Sequence, residues 1–248
     1  ENLTTITIPS ELKVIGDSAF TGCSKLTSIN IPNSVTTIGA YAFSGCSIAT
    51  IFIPNSFISI GSYAFSGCKG TLCIDNSNIM NVTCYVDSFS HKLAYSGIFI
   101  NSKFSEIIFG DNVSIIPQNA FRECYYLKKI TFGNNIKYIE DNAFYDCGLS
   151  TVNLPNSVIS IGDKAFYSCN NMTDIYIPNS IMSIGNDAFY KCDNLLNVHI
   201  DDIAKWCEIK FNSSGSNPLY YADNLYVNGQ LIEGVLKLDK INEIGQYA

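Results

Sequence analysis

The sequence predicts a repeat solenoid whose successive coils stack and pair their strands in one parallel β-sheet. An Ala-Phe pair recurs seven times, with steps of 23, 22, 56, 23, 22 and 23 residues between the phenylalanines. A fixed period of this size is typical of solenoids. Apolar residues fall at the same places around each pair, and a cysteine follows each phenylalanine after three residues. The pairs are Ala19-Phe20, Ala42-Phe43, Ala64-Phe65, Ala120-Phe121, Ala143-Phe144, Ala165-Phe166 and Ala188-Phe189.

Each repeat begins with a short strand of the form Leu-x-x-Ile-x-Ile. In residues 26–31, Ile29 and Ile31 lie two apart and point inward, whereas Asn30 between them points outward. Pro32 ends this strand because proline cannot donate to a β-ladder. Such strands are expected at residues 3–8, 26–31, 48–53, 104–109, 127–132, 149–154, 172–177 and 195–200.

The rest of each repeat returns the chain to the next strand. Pro-Asn-Ser predicts a turn, and the Ile-Gly that follows indicates a backbone position needing positive φ or close approach. Ala-Phe-x-x-Cys predicts one helical or 3-10 turn opposite the sheet. One coil cannot fold alone, so stacking must supply its stability. The predicted core includes Ile29, Ile31, Ile51, Ile53, Ile130, Val152, Ile175, Ile177, Phe43, Phe144 and Phe166.

The ten cysteines are interpreted mainly as packing residues. Seven occupy the same repeat position, where stacked side chains run parallel, so we expect buried free thiols. They are Cys23, Cys46, Cys68, Cys124, Cys147, Cys169 and Cys192. The sequence has no Cys-x-x-Cys pair to bind zinc, and no metal site is predicted. Cys73, Cys84 and Cys207 lie elsewhere, and a bridge between Cys73 and Cys84 is an open alternative.

Composition narrows the function classes. The 248 residues carry a net charge of −7 and no basic run, which argues against nucleic acid and anionic membranes as partners. The sequence contains no stretch of 18 apolar residues, so no membrane insertion is predicted for it. Motifs for phosphate binding, metallohydrolases, serine hydrolases and calcium sites are not found, so we expect no enzyme and no cofactor. A rival hypothesis is a cysteine hydrolase site around Cys84 and His91.

Two segments interrupt the repeats. Residues 69–103 exceed two periods by about ten residues; strands are expected at 72–74 and 97–100, and residues 87–89 are interpreted as a degenerate x-Ala-Phe. In residues 201–231, Asp202 is a candidate N-cap for a helix reaching Trp206, and Asn228-Gly229 predicts a type I′ hairpin. The aromatic residues Trp206, Tyr220, Tyr221 and Tyr226 are interpreted either as packing or as a ligand platform.

The repeat unit Leu-x-x-Ile-x-Ile-Pro-x-x-Val-x-x-Ile-Gly-x-x-Ala-Phe-x-x-Cys resembles the BspA-type leucine-rich repeat of bacterial and protozoan surface proteins. The resemblance is close over residues 1–68 and 104–200, and weak over 232–248. It implies a leucine-rich-repeat solenoid in a non-enzymatic secreted or cell-surface protein, often credited with adhesion to host components such as extracellular matrix or mucin. A spacer array that carries a separate functional domain is the alternative.

We expect one domain over residues 1–248, with regular coils at 1–68 and 104–200, inserts at 69–103 and 201–231, and a partial repeat at 232–248. The chain begins inside one repeat and stops before the phenylalanine of another, so we expect a fragment of a longer protein whose targeting signals lie outside it.

The outward strand positions are the expected binding surface. Parallel stacking aligns Thr7, Asn30, Phe52, Ile108, Thr131, Asn153, Tyr176 and His199 along one face. Large residues at half of these positions indicate a protein or glycan partner, although such residues also favour strands for packing reasons alone. Charged neighbours are expected at the rim, including Glu106 and Asp174. The predicted ligand-binding residues are Phe52, Ile108, Lys128, Lys129, Tyr176 and His199.

Overall fold

The structure is a computed structural model that describes residues 2–54, 56, 59–75, 99 and 102–233, and the backbone of 83–85. The chain winds into the predicted solenoid, and its strands pair in parallel with the equivalent strands of neighbouring coils. The sequence predicts a single sheet, and this prediction covers only part of the β-structure. Most coils contribute two strands, so the solenoid has two parallel ladders on different sides.

The first ladder is formed by the Leu-x-x-Ile-x-Ile stretches. The isoleucine and valine residues predicted for the core of this ladder are buried, except that Ile130 is only half-buried, at a break where β11 and β13 belong to different sheets. The strands are β1 (Thr5–Thr7), β3 (Ser28–Asn30), β5 (Thr50–Ile53), β7 (Lys69–Ile74), β9 (Lys103–Phe109), β11 (Lys129–Thr131), β13 (Thr151–Asn153), β15 (Asp174–Ile177), β17 (Asn197–Ile200) and β19 (Asn224–Val227).

The second ladder is formed largely by the residues just before the repeat glycine. Its strands are mostly two residues long, which is too short for a period of two to appear in the sequence. In the described Ile-Gly pairs the isoleucine points into the core, as Ile38 and Ile161 illustrate. The strands are β2 (Val14–Ile15), β4 (Thr37–Ile38), β6 (Ser59–Gly61), β8 (Thr83–Tyr85), β10 (Ile115–Ile116), β12 (Tyr138–Ile139), β14 (Ser160–Ile161), β16 (Ser183–Ile184) and β18 (Lys210–Phe211).

The third side consists of turns in place of the predicted short helices. Positive φ values recur immediately before the alanine and immediately before the cysteine of the motif, as at Lys164 and Ser168. These left-handed residues interrupt any helix. Each coil still forms i to i+3 hydrogen bonds, and alternate amides donate to the next coil, as when the Phe166 N–H donates to Ala188 O over 2.9 Å.

Two columns of side chains fill the core beneath these turns. The repeat phenylalanines stack face to face, with ring centroids 5.4 Å apart for Phe121 and Phe144 and again for Phe144 and Phe166. The repeat cysteines are free thiols, as predicted. From Cys46 onward, each thiol donates to a phenylalanine carbonyl of the preceding coil, as from Cys147 Sγ to Phe121 O over 3.0 Å. Burial raises the pKa of the Cys68 and Cys192 thiols to about 12.

The repeat glycines allow close approach of adjacent coils. A Cβ built on Gly162 would lie 2.6 Å from Asp141 N and 2.7 Å from Glu140 C, both in the preceding coil. Of the two explanations considered for this glycine, close approach applies, because Gly162 does not have positive φ. Gly16 belongs to the first coil, and its Cβ would meet nothing within 4 Å.

The described parts of residues 69–103 continue the solenoid through strand β7, strand β8 and a turn at Phe99. Strand β7 pairs with β5 on one side and β9 on the other, so the first ladder continues through the segment. Phe99 takes the phenylalanine position and stacks on Phe121 at 5.2 Å. The predicted strand at 97–100 is therefore wrong at Phe99, which lies in a turn because its ring completes the column. Residues 87–89, the interpreted degenerate copy, lie outside the described residues.

The 201–231 segment continues both ladders but differs in structure from the regular coils. Helix α1 (Ile203–Glu208) begins after Asp202, whose carboxylate accepts from the Ala204 N–H over 2.7 Å. Two 3-10 turns follow, Ser214–Ser216 and Pro218–Tyr220. Strand β19 then turns through Asn228 and Gly229, with φ of 49° and 75°, into antiparallel β20 (Gln230–Leu231). These positive φ values are those of the type I′ turn that the sequence predicts. Residues 234–248, in the expected terminal repeat, lie outside the described part.

Candidate functional site: an outward row on the first ladder

The outward side chains of the first ladder follow one another along one face, in three runs separated by sheet breaks between β3 and β5 and between β11 and β13, and we call them the outward row. Strand register aligns its members between neighbouring strands within each sheet. All eight residues predicted for this surface lie in the row, and Cys73 and Tyr226 are two further members. The row runs Thr7, Asn30, Phe52, Cys73, Ile108, Thr131, Asn153, Tyr176, His199 and Tyr226.

The predicted site residues fall into two separate groups within this row. Phe52 is 64% exposed, and half-buried Cys73 lies between it and Ile108. A depression of about 370 Å³ adjoins Phe52 and is lined by Asn30, Pro32, Asn33, Pro54 and Asp75. Tyr176 and His199 form the second group, separated from Ile108 by the short side chains of Thr131 and Asn153.

The second group is a stack of three rings. The ring centroids of Tyr176 and His199 lie 4.1 Å apart with an interplanar angle of 6°, and those of His199 and Tyr226 lie 4.7 Å apart at 20°. We call these three residues the ring stack. Tyr176 remains 40% exposed at one end of it.

A row of polar side chains on the same strands fixes the ring stack. His199 Nε2 lies 3.2 Å from Asp174 Oδ1, and the ring must donate because a carboxylate only accepts. Asn197 Nδ2 donates to Asp174 Oδ1 over 2.9 Å, and Asn224 donates in turn to Asn197. Partial burial acts to raise the pKa of Asp174, but hydrogen bonds from Thr173, Asn197 and His199 outweigh it and lower the pKa. The carboxylate is therefore charged near neutral pH and holds the imidazole in place.

The two lysines predicted for the site differ in their environment. Lys129 Nζ lies 2.7 Å from Glu106 Oε1, in an ion pair whose lysine side chain is 68% exposed. Such exposed pairs contribute little to stability, about 0 to 1 kcal/mol. Lys128 is exposed beside it. Both lie near Ile108 in the register, at the edge of the first group.

Sequence reasoning missed Cys73 and Tyr226 as members of the row. Residues 72–74 were predicted as a strand, but no outward position was assigned within it. Tyr226 was assigned to the hairpin, whereas β19 also pairs in parallel with β17. An unbroken Leu-Tyr-Val alternation at 225–227 is the signal that could have placed Tyr226 in the row.

The proposed aromatic platform of the 201–231 segment is not one cluster. Trp206 is buried against Phe211, with ring centroids 5.1 Å apart. Tyr221 contacts Tyr190 and Tyr220 instead. Tyr226, the fourth residue of that group, lies in the ring stack. The packing interpretation therefore holds for Trp206.

A second aromatic strip lies on the turn side and was also missed. Tyr145 and Tyr167 stack with centroids 4.8 Å apart, and the Arg122 guanidinium lies 4.4 Å from the Tyr145 ring centroid. Lys191 lies near both Tyr167 and Tyr190. The signal in the sequence is the tyrosine that directly follows each of three consecutive repeat phenylalanines. Mutual stacking and cation–π contacts give this strip a structural explanation.

Other chemistry finds no support in the described part of the chain. No group of three or more His, Cys, Asp or Glu side chains there is placed to hold a metal ion. None of its helices is long and apolar enough to cross a membrane. Cys73 is a free thiol. The Cys84 side chain and His91, on which the hydrolase hypothesis depends, lie outside the described residues.

Comparison with known proteins assigns the chain to a family. A family model described as the BspA type leucine-rich repeat region matches residues 1–90 and 92–216, with six copies. The chain belongs to the BspA-type leucine-rich repeat family. The sequence resemblance and the predicted fold class are thereby confirmed.

Solved structures of other leucine-rich repeat proteins are similar to this BspA-type chain. One from Bacteroides ovatus is 28% identical, with a TM-score of 0.62, and the match covers 85% of this chain and 54% of the other. This chain thus spans about half the length of that protein. A leucine-rich cell surface protein from Faecalibacterium prausnitzii is 27% identical, with coverages of 85% and 63% and a TM-score of 0.47. No functionally curated protein matches the chain significantly.

Proposed function

We propose that this BspA-type solenoid is a non-enzymatic recognition module of a secreted or cell-surface protein, and that it binds a protein or glycan partner through the outward row. Adhesion to extracellular matrix or mucin is the role that this function would serve. Family membership supports the non-enzymatic character, because the family is built from repeats that present a surface.

The observation that carries this proposal is the exposure of large side chains in strand register. Phe52, Ile108 and Tyr176 are 64%, 36% and 40% exposed, on a rigid scaffold whose inward side chains are buried. Large exposed apolar groups on one face are typical of interaction sites. Aromatic side chains supply much of the binding energy in such sites because they bury a large area with few rotatable bonds.

The test replaces Phe52, Tyr176 and His199 together by serine and measures binding to a panel of matrix proteins, mucins and glycans. The matched control replaces Val14, Tyr138 and Met182, which are 53%, 41% and 67% exposed on or beside the second ladder. We expect the first variant to lose binding and the second to keep it. Unchanged binding by the folded first variant would refute the site.

A spacer array that only holds another domain predicts a different result. Neither triple variant would then bind less than the parent protein, because neither surface would touch a partner.

A further inference from the structure

Among the described residues, the ring stack ends in an uncovered aromatic face. His199 covers one face of Tyr176, at a centroid distance of 4.1 Å. On the other side, the residue in register is Asn153, whose short side chain cannot cover a tyrosine ring. Asn153 is itself exposed, and Tyr176 is 40% exposed. The open face of Tyr176 therefore points along the row, above Asn153.

A small cavity lies beside the ring stack, lined by residues of three successive coils from Asn153 to Asp201 and by Gly229 of the hairpin turn. Its volume is about 160 Å³, which is about five times the volume that one water molecule occupies in the liquid. This is room for one ring-sized group. The residues that matter for its chemistry are Asn153, Asn156, Tyr176, His199, Asp201 and Gly229.

The lining combines the rings of Tyr176 and His199 with two amides, a carboxylate and apolar residues of the strand ends. Asn153 and Asn156 each offer donors and an acceptor, and Asp201 offers acceptors only. A sugar ring matches this set, because its hydroxyl groups both donate and accept while its C–H face stacks on the negative face of an aromatic ring. An apolar peptide side chain would leave these polar groups unsatisfied.

Charge narrows the class of sugar. Asp201 lines the cavity, Asp174 lies beside the ring stack, Asp202 follows Asp201, and the chain has a net charge of −7. These carboxylates repel acidic sugars such as sialic and uronic acids. Neutral sugars, including N-acetylated hexosamines, carry no such penalty.

The site is organised before any ligand binds. Asp174 fixes the His199 ring, which in turn supports the Tyr176 ring, and the Asn197 and Asn224 amides continue this network across three strands. A ligand that stacks on Tyr176 therefore orders little of the protein, which lowers the entropic cost of binding.

We propose that the open face of Tyr176, with Asn153, Asn156 and Asp201, binds one neutral sugar residue of a glycan chain. This inference rests on the proposed recognition function of the outward row and names the ligand class for one end of it.

Two substitutions test the site in opposite ways. Tyr176→Ala removes the stacking face. Asn153→Tyr adds a ring in register with Tyr176, and so extends the stack over the same face while Tyr176 stays in place. Asn30→Tyr adds an identical ring at the equivalent position of β3 and is the matched control. All three positions are exposed, and unchanged circular dichroism and thermal midpoints would verify folding.

The measurement uses an array of neutral oligosaccharides and the same oligosaccharides capped with sialic acid, followed by calorimetric titration with the neutral glycan that gives the strongest signal. We expect binding to neutral glycans, weakened at least about tenfold by Tyr176→Ala and by Asn153→Tyr and unchanged by Asn30→Tyr. Absence of neutral-glycan binding, preference for the sialylated forms, or full affinity in folded Asn153→Tyr would overturn the inference.

A parallel measurement separates this inference from the broader function. Binding of the Phe52, Tyr176 and His199 triple variant to matrix proteins is measured on the same preparations. If the triple variant loses matrix binding but the parent protein binds no glycan, the sugar site is refuted and the recognition surface stands. If the triple variant binds matrix proteins and neutral glycans as well as the parent protein does, both proposals are refuted.

Discussion

Substitution of a repeat glycine by alanine tests how tightly adjacent coils pack. In Gly162→Ala, the new methyl group would meet backbone atoms of Asp141 and Glu140 at 2.6 and 2.7 Å. Carbon atoms normally approach to about 3.5 to 4.0 Å, so the coils must separate locally by about 1 Å. Neither contact can be relieved by rotating a side chain, because both atoms belong to the backbone.

The magnitude follows from overpacking and from the hydrogen bonds at the same place. Overpacking of this kind costs about 1 to 3 kcal/mol. The Gly162 N–H donates to Ile139 O over 2.7 Å, and the Asp163 N–H donates to Asp141 Oδ1 over 2.8 Å. Weakening each bond costs up to about 1 kcal/mol. We therefore expect Gly162→Ala to lower the free energy of unfolding by about 1 to 5 kcal/mol.

Gly16→Ala is the matched control, because it makes the same change at a repeat glycine whose surroundings in the structure leave room for a methyl group. Its methyl group meets nothing within 4 Å, and its φ is not positive. Stability should stay constant or rise by about 0.5 kcal/mol, since alanine restricts the unfolded chain. With a urea dependence of about 3 kcal/mol per M, the midpoint of urea unfolding should fall by about 1 M in Gly162→Ala alone. Equal midpoints for the two variants would refute close approach as the role of the glycine.

Three further predictions concern stability. Burial raises the pKa of the Cys68, Cys124 and Cys192 thiols from 9.0 to about 12. Between these two pH values the folded state keeps protons that the unfolded state releases. The midpoint of urea unfolding should therefore be constant below about pH 9 and fall as the pH rises toward 12. Cys124→Ala should make that fall shallower, and an equally steep fall would contradict the assignment. Phe144→Ala should cost about 3 to 5 kcal/mol in denaturant unfolding. Phe20→Ala should cost less, because Phe20 is only half-buried, and equal costs would argue against the phenylalanine column. Asp202→Ala should remove the cap of α1 at a cost of about 1 kcal/mol, seen as faster hydrogen exchange of the α1 amides, with no change expected in β13.

The sequence by itself determined the solenoid and its core. Comparison of the seven repeat copies shows which residue types recur at each position. A recurring Ile-x-Ile can bury both isoleucines only if each strand presents the same face to the same core. Buried free thiols followed from the same argument, because residues at one repeat position lie parallel in a stack. The outward row could be predicted for the regular coils, since side chains alternate along a strand.

Tertiary structure decided what depends on contacts between coils. The second ladder is built from pairs of residues too short to show any period, and it exists because adjacent coils supply its hydrogen bonds. The third side forms turns and not helices because alternate amides there donate to the neighbouring coil. Phe99 lies between Phe65 and Phe121 and takes the place of a repeat phenylalanine. No Ala-Phe-x-x-Cys pattern surrounds Phe99 in the sequence, so the motif could not predict this role. Tyr226 likewise joins Tyr176 and His199 only because β19 pairs with β17, and the open face of Tyr176 depends on the short residue that the register places beside it.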